Sequence, residues 1–142
     1  MTCISDIAAH NGIIKSLCVL QDQKLLAAAC DKYIMLWDLV SLTNVATLKA
    51  HQGDINALKR GQNILVSGGS SGFENSTLYV WDLRTSSPIE ERESTDVHCI
   101  EVCDDDKRVF LGNSSQLVKN ICLKGGTSEA LSPPHNDIVS SL

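Results

Sequence analysis

The chain has 142 residues, of which 43% are hydrophobic and 20% are charged, and its formal net charge at pH 7 is −5. This acidic balance argues against a surface that binds the phosphate backbone of nucleic acid or an anionic membrane by charge. No stretch approaches 18 consecutive apolar residues and the first residues lack the pattern of a secretory signal, so neither membrane insertion nor secretion is predicted.

Strand-sized segments rich in Val, Ile, Leu and Tyr follow one another along the chain, separated by Gly, Asn, Asp and Ser. No segment sustains a helical apolar period over three turns, so an all-β fold is predicted. The predicted strands are, in chain order, Thr2–Ala8, Ile14–Leu20, Leu25–Ala29, Tyr33–Trp37, Asn44–Lys49, Ile55–Lys59, Ile64–Ser67, Thr77–Trp81, Pro88–Arg92, Val97–Cys103, Val109–Gly112, Leu117–Leu123, Ser128–Leu131 and Ile138–Leu142.

An eight-residue phrase that begins with histidine and ends with leucine occurs three times. Its copies begin at His10, His51 and His135. The first two copies start 41 residues apart and the last two 84 apart, so a degenerate copy is expected halfway between the last two. Asp96–Ile100, which lies 42 residues after Asp54–Leu58, fits that place.

Two Trp-Asp-Leu triplets recur in register with this phrase. They are Trp37-Asp38-Leu39 and Trp81-Asp82-Leu83. In a degenerate third unit, Ile121 occupies the Trp position, 40 residues after Trp81. A period of about 40–45 residues with Trp-Asp closing a strand is typical of a β-propeller blade. With these motifs in register, the chain resembles the WD-repeat family over nearly all of its length.

The resemblance implies a partial propeller of about three four-stranded antiparallel blades across residues 1–142. The expected blade units are 10–50, 51–93 and 94–134, with the outer strand of a preceding blade at 2–8 and the start of a further blade at 135–142. Propellers of this kind contain four to eight blades. We therefore expect a fragment or truncated product of a longer propeller protein, or a chain completed by a partner or by self-association.

Family blades are clamped by hydrogen bonds among the repeat His, a turn Asp, the Trp and a Ser or Thr of the second strand. The members present here are His10, Asp31 and Trp37 in the first unit, and His51, Ser67 and Trp81 in the second. Alanines at 27–29 occupy the Ser/Thr stretch of the first unit, and Asn75 occupies the Asp position of the second. Because a half-built network clamps poorly, we expect apolar packing to dominate between blades.

Two short segments are candidates for partner contact. Gly68–Asn75 is either a plain hairpin loop or a contact loop in which Phe73 and Glu74 meet a partner. The run from Trp81 to Arg84 matches the Trp-Asp-x-Arg ending of substrate receptors in cullin-4-type ubiquitin ligases, in which the Arg pairs with acidic groups of an adaptor. The alternative is an ordinary blade turn with a solvated Arg84.

The cysteines and histidines do not form a recognisable chemical site. The six cysteines are Cys3, Cys18, Cys30, Cys99, Cys103 and Cys122, and their spacing matches no zinc or redox pattern. They are predicted to be reduced core residues, which indicates a cytoplasmic or nuclear location. Although His98 adjoins Cys99, no strained elbow presents a nucleophile, so neither catalysis nor a cofactor is expected.

The function that these observations favour is a non-catalytic protein–protein interaction scaffold built from WD repeats. Its partners are expected to be other proteins. The alternative is a substrate-receptor segment of a cullin-type ubiquitin ligase, which would also be non-enzymatic in this chain.

Overall fold

A computed structural model of the chain describes residues 6–7, 10–71, 76–94, 96–114, 118–123 and 128–131. The strands are β1 (Ile14–Leu20), β2 (Leu25–Cys30), β3 (Tyr33–Asp38), β4 (Asn44–Lys49), β5 (Asp54–Arg60), β6 (Ile64–Ser70), β7 (Ser76–Asp82), β8 (Ser87–Ser94), β9 (Val97–Val102), β10 (Arg108–Asn113), β11 (Val118–Cys122) and β12 (Ser128–Leu131). The segment predicted at 2–8 lies largely outside the described residues, and the one at 135–142, with His135, lies wholly outside them.

The strands form three separate four-stranded sheets, each an antiparallel meander in chain order. We name them blade 1 (β1–β4), blade 2 (β5–β8) and blade 3 (β9–β12). The prediction of an all-β fold with antiparallel propeller-like blades is therefore confirmed. Most predicted strand ends fall within one or two residues of the observed ones.

One backbone hydrogen bond recurs in every blade and ties the end of its third strand to the turn between its first and second strands. The N–H of Leu39, Leu83 and Leu123 donates to the carbonyl of Lys24, Asn63 and Lys107, over 2.8, 3.4 and 2.8 Å respectively. The repeat is therefore a repeat of backbone geometry. The same hydrogen bond is present in blade 3, although the Trp-Asp pair is absent from that repeat.

The blades stack through two buried apolar layers. The layer between blades 1 and 2 contains Leu20, Ile34, Leu36, Ile55, Leu65 and Trp81, and the layer between blades 2 and 3 contains Val66, Leu78, Val80, Val97, Val109 and Leu111. Each such side chain contributes about 1.5–3 kcal/mol when it is fully removed from water. Stability of the stack therefore resides in contacts between neighbouring blades.

The glycine-rich segment after Ser67 begins as strand and not as the loop that the sequence predicted. Strand β6 continues to Ser70, with Gly69 paired to Ile55 across the sheet. A Cβ added at Gly69 would lie 1.8 Å from the carbonyl oxygen of Asp54. Glycine is thus required here by the close approach of β5 beside its bulge, and the predicted loop at Gly68–Asn75 was wrong for its first three residues.

Candidate functional site

Blade 2 holds a buried polar network centred on one hydroxyl. Ser67 Oγ accepts a hydrogen bond from Trp81 Nε1 over 2.8 Å and lies 2.6 Å from His51 Nε2. Ser67 is 0% and Trp81 is 1% exposed. The network links the segment before β5 to β6 and β7, so it fixes the approach to the blade's first strand.

Burial sets the charge state of this network. Desolvation lowers the pKa of His51 from 6.5 to about 4, so the imidazole is neutral at physiological pH. The ring of Tyr79 meets His51 edge-on at 4.7 Å between centroids and lies 5.7 Å from Trp81. The cluster is therefore a neutral, closely packed unit, and its geometry suits a structural clamp more than proton transfer.

Blade 1 carries the same two rings without the hydroxyl. By strand register Ala28 takes the place of Ser67, beside Trp37 on the same sheet face. Within the described part of the chain, neither ring nitrogen of His10 nor the indole N–H of Trp37 has a hydrogen-bond partner. The link from His10 to Asp31 that the resemblance implied is not made. Asp31 instead accepts a 2.7 Å hydrogen bond at its carbonyl from the N–H of Ile55 in blade 2.

Blade 3 replaces the network with apolar side chains. Leu111 and Ile121 occupy the register positions of Ser67 and Trp81, and both are buried. The nearby His98 has its Nε2 atom 2.9 Å from Ser114 Oγ, and burial raises the pKa of the Cys99 thiol. A thiol with a raised pKa carries less thiolate and is a poorer nucleophile.

The two Trp-Asp corners share one turn geometry. Asp38 Oδ1 accepts from the N–H of Val40 over 2.8 Å, and Asp82 Oδ1 accepts from the N–H of Arg84 over 2.7 Å. Backbone hydrogen bonds lower the pKa of both carboxyl groups, those from Ser41 and Val40 for Asp38 and that from Arg84 for Asp82. The Arg84 side chain is 78% exposed and its Nε lies 3.4 Å from Asp82 Oδ1, so most of the guanidinium faces solvent.

Neighbouring inner strands carry charged contacts that the sequence analysis missed. Lys15 Nζ lies 3.0 Å from Asp54 Oδ2, and Lys59 Nζ lies 2.8 Å from Glu101 Oε2. The partners are 39 and 42 residues apart, close to the repeat period. In the sequence, these ion pairs could have been found as residues of opposite charge separated by about one repeat length.

The turns of blades 2 and 3 are joined by a carboxylate. Asp106 accepts hydrogen bonds from the backbone N–H of Gln62 over 2.7 Å and of Asn63 over 2.8 Å. At the boundary of blades 1 and 2 the corresponding link is an ion pair between Arg60 and Asp22. The turns on this edge are thus held in place by charge-assisted hydrogen bonds.

A groove opens on this turn-bearing edge between blades 2 and 3. Its volume is about 920 Å³. Its wall carries three cations and four carboxylates, which are Arg84, Lys107, Arg108, Asp82, Glu90, Asp105 and Asp106. The apolar side chains of Ile89 and Leu123 also line it.

The free face of blade 1 is apolar. Side chains that point away from blade 2 include Ile14, Leu17, Val19 and Tyr33, which are 45%, 58%, 47% and 44% exposed. The corresponding face of blade 2 is covered by blade 1. An exposed apolar sheet face of this kind marks an interaction surface.

Phe73, Glu74 and Asn75 lie outside the described residues. Among the residues described, no helix is long and apolar enough to cross a membrane. In the same part of the chain, no group of three or more His, Cys, Asp or Glu side chains is placed to hold a metal ion.

Comparison with known proteins accords with this repeat geometry. The family model described as WD domain, G-beta repeat matches residues 1–38 and 42–82, more than half of the chain. Myosin heavy chain kinase C of Dictyostelium discoideum is 33% identical over 125 residues, which is 84% of this chain and 15% of that protein. Mitochondrial division protein 1 of Mycosarcoma maydis is 29% identical over 87 residues, 61% of this chain and 10% of that protein.

The chain thus spans a small part of the length of these relatives. WD repeats generally mediate binding to other proteins and are generally non-catalytic. The recurring hydrogen bonds, the Trp-Asp corners and the family match lead to one conclusion: the chain belongs to the WD-repeat family.

Proposed function

We propose that this chain is a segment of a WD-repeat propeller and acts as a non-catalytic scaffold that presents its turns and blade edges to other proteins. The observation that carries the proposal is the fixing of turns across blade boundaries. Asp106 holds the turn at Gln62 and Asn63, and the Asp31 carbonyl holds the start of β5. Turns fixed in this way offer a partner a surface that loses little entropy on binding.

The apolar face of blade 1 supports the proposal that the chain belongs to a larger propeller. In blade 2 the equivalent face is covered, and Leu58 and Trp81 there are 7% and 1% exposed. Leu17, at the register position of Leu58, is 58% exposed. A further blade on this face would bury it as blade 1 buries blade 2. A second copy of the chain is the other cover that the face would accept.

A substrate-receptor segment of a cullin-type ubiquitin ligase is the second candidate function. Arg84 favours it, because its backbone is fixed by Asp82 while 78% of its side chain is exposed. Such an Arg is available for a carboxylate of an adaptor protein. The five described cysteines, Cys18, Cys30, Cys99, Cys103 and Cys122, form no disulfide, which supports a cytoplasmic or nuclear location for either function.

Affinity capture with mass spectrometry separates the two functions. The tagged chain, expressed as wild type, Arg84→Glu and Phe73→Ala, is compared with an untagged control. A scaffold captures a reproducible set of proteins, and loss of part of that set in Phe73→Ala would assign Phe73 as a contact residue. Cullin and adaptor subunits that appear with wild type and vanish with Arg84→Glu would establish the ligase function. Absence of any specific protein would refute both.

A further inference from the structure

The turn between the third and fourth strands has the same backbone geometry in blades 1 and 2. In blade 1 the N–H of Leu42 donates to the carbonyl of Asp38 over 2.9 Å. In blade 2 the N–H of Ser86 donates to the carbonyl of Asp82 over 3.0 Å. Leu42 and Ser86 both lie in the left-handed region, with φ angles of 56° and 54°. The two turns are therefore a matched pair that differs only in its side chains.

Each of the two turns carries a pair of hydroxyl groups in contact with each other. Ser41 Oγ lies 2.8 Å from Thr43 Oγ1 in blade 1, and Thr85 Oγ1 lies 2.7 Å from Ser87 Oγ in blade 2. All four residues are exposed. Exposed hydroxyl groups at the tip of a hairpin are accessible to an enzyme that modifies the chain, so the side chains around each hydroxyl decide which enzyme can act there.

A proline follows the second hydroxyl in the turn of blade 2 but not in that of blade 1. Pro88 pairs with Trp81 across the sheet, and in blade 1 Asn44 takes this place. Proline has no N–H and keeps the residue before it extended. An enzyme whose site offers no acceptor after the reacting serine therefore favours Ser-Pro, because any other residue would leave an N–H without a partner. The pair of Ser87 and Pro88 thus fits a proline-directed serine kinase.

The first residues of β8 are weakly held in the sheet. Ser87 begins the strand opposite Asp82, and the first three residues of the strand are exposed. Pro88 donates no hydrogen bond to the ladder, and the register shifts between Val80 and Trp81 on the facing strand. Separation of this strand end from β7 therefore costs little. A kinase, which binds its substrate as an extended segment, can gain access to Ser87 in this way.

Arg84 is placed to hold a phosphate on this turn, where blade 1 has Val40. The carboxylate of Asp82 fixes its backbone through a 2.7 Å hydrogen bond, while 78% of the Arg84 side chain is exposed. Among the described residues, the guanidinium is engaged only through Nε, 3.4 Å from Asp82 Oδ1. Its terminal nitrogens therefore remain for the oxygens of a phosphoserine, whose charge at pH 7 is about −1.5 to −2. The same cation offsets the repulsion between that phosphate and Asp82, which faces Ser87 across the hairpin.

We propose that Ser87 is a phosphorylation site for a proline-directed serine kinase and that Arg84 holds the phosphate. Ser87 Oγ attacks the γ-phosphorus of ATP, a new P–O bond forms at Oγ, the bond to the β-phosphate oxygen breaks, and ADP and the hydroxyl proton are released. The phosphate then occupies the terminal nitrogens of Arg84. For the second candidate function, phosphorylation removes the cation that meets a carboxylate of an adaptor, although the site itself does not depend on that function.

Phosphorylation in vitro followed by mass spectrometry tests the site. The 142-residue chain is incubated with ATP, Mg²⁺ and a purified mitogen-activated protein kinase, which is proline-directed, and is then digested with trypsin. The peptide Thr85–Arg92 carries Ser87, while the chain's other Ser-Pro pair, Ser132-Pro133, lies outside the described residues and in a different peptide. Fragmentation should place a phosphate on Ser87 and none on Thr43. Phosphate on Ser132 alone, or equal phosphate on Thr43, would overturn the proposal.

Two variants test the role of the proline. Pro88→Ala should reduce phosphate on Ser87 by about tenfold or more, since the new N–H has no partner in the kinase site. Thr85→Ala is the matched control, because it removes the neighbouring hydroxyl and keeps the Ser-Pro pair, and it should be phosphorylated as wild type is. Equal loss in both variants, or none in Pro88→Ala, would refute a proline-directed site. A thermal melt by circular dichroism verifies that each variant is folded.

Nuclear magnetic resonance of the phosphorylated chain tests the contact with Arg84. Phosphorylation should shift the Nε–Hε resonance of Arg84, which is identified by its absence in Arg84→Lys, and should leave that of Arg108 unchanged. An Arg84 resonance that does not move, or an equal shift at Arg108, would overturn the phosphate contact. The scaffold function is tested separately by affinity capture with the unphosphorylated chain, so a missing phosphate on Ser87 leaves that function intact.

Discussion

Removal of the Ser67 hydroxyl is the most incisive test of the blade 2 network. The Ser67→Ala variant deletes one buried oxygen that serves two rings, Trp81 Nε1 at 2.8 Å and His51 Nε2 at 2.6 Å. Both ring nitrogens then remain in a site closed to water, because Ser67 is 0% exposed and His51 is 9% exposed. An alanine Cβ fills most of the space, so the cavity left behind is small.

The expected cost follows from the two groups left without a partner. A buried polar group that loses its hydrogen bond costs about 1–3 kcal/mol, so the two groups together should lower the free energy of unfolding of Ser67→Ala by about 2–6 kcal/mol. Urea unfolding monitored by tryptophan fluorescence measures this change. An unchanged slope with denaturant would show that the change lies in stability and not in the extent of unfolding.

Ser94 provides the matched control, and Ala28 provides the converse. Ser94 is 8% exposed and its hydroxyl has no hydrogen-bond partner among the described residues, so Ser94→Ala should change stability little. Ala28→Ser should place a hydroxyl near the unpartnered nitrogens of Trp37 and His10 and raise stability by about 1–2 kcal/mol. Equal effects of Ser67→Ala and Ser94→Ala would refute the claim that this network stabilises the blade.

Three further predictions concern pH, the tryptophans and the free face of blade 1. The unfolded chain, with an ordinary His pKa of 6.5, protonates His51 before the folded chain, with its pKa of about 4, does. The free energy of unfolding should therefore fall by roughly 3 kcal/mol as pH drops through this window, and His51→Gln should flatten this slope in urea titrations. Trp81→Ala should cost about 3–5 kcal/mol, and the half-buried Trp37 less, when the two are compared by urea unfolding. Sedimentation velocity should show that the wild-type chain self-associates and that Leu17→Lys and Val19→Lys suppress this self-association. A wild-type chain that sediments as a monomer would contradict the prediction.

Most of the fold could be predicted from the repeated motifs. Because the Trp-Asp corners and His phrases recur with one period, they determine the blade order and the strand register together. The sheet ends were harder to predict, as Gly68 and Gly69 show. Glycine is typical of loops, yet here it marks the close approach of β5 to β6, which depends on a bulge that no local pattern reveals.

The candidate site was less predictable than the fold. The groove depends on the volumes and positions of side chains from two blades, which are properties of packing. Arg84 was visible in the sequence because it follows a Trp-Asp corner. Lys107 and Arg108 had no such motif; Lys107 lies in the turn that follows β9, and Arg108 begins β10. Their proximity to Ile89 follows only from the stacking of blades 2 and 3.

The three blades differ in the side chains at and around the register position of Ser67, and these differences bear on the stability of each blade. At the position of Ser67, blade 2 has a hydroxyl that serves two rings, and blade 3 has Leu111 with no ring to serve. Neither arrangement carries the cost of a buried polar group without a partner, because replacing all partners of a hydrogen bond by apolar groups costs little. Blade 1 keeps the rings of His10 and Trp37 without the hydroxyl, which leaves donors unpaired. Blades 2 and 3 should therefore form the more stable part of the stack.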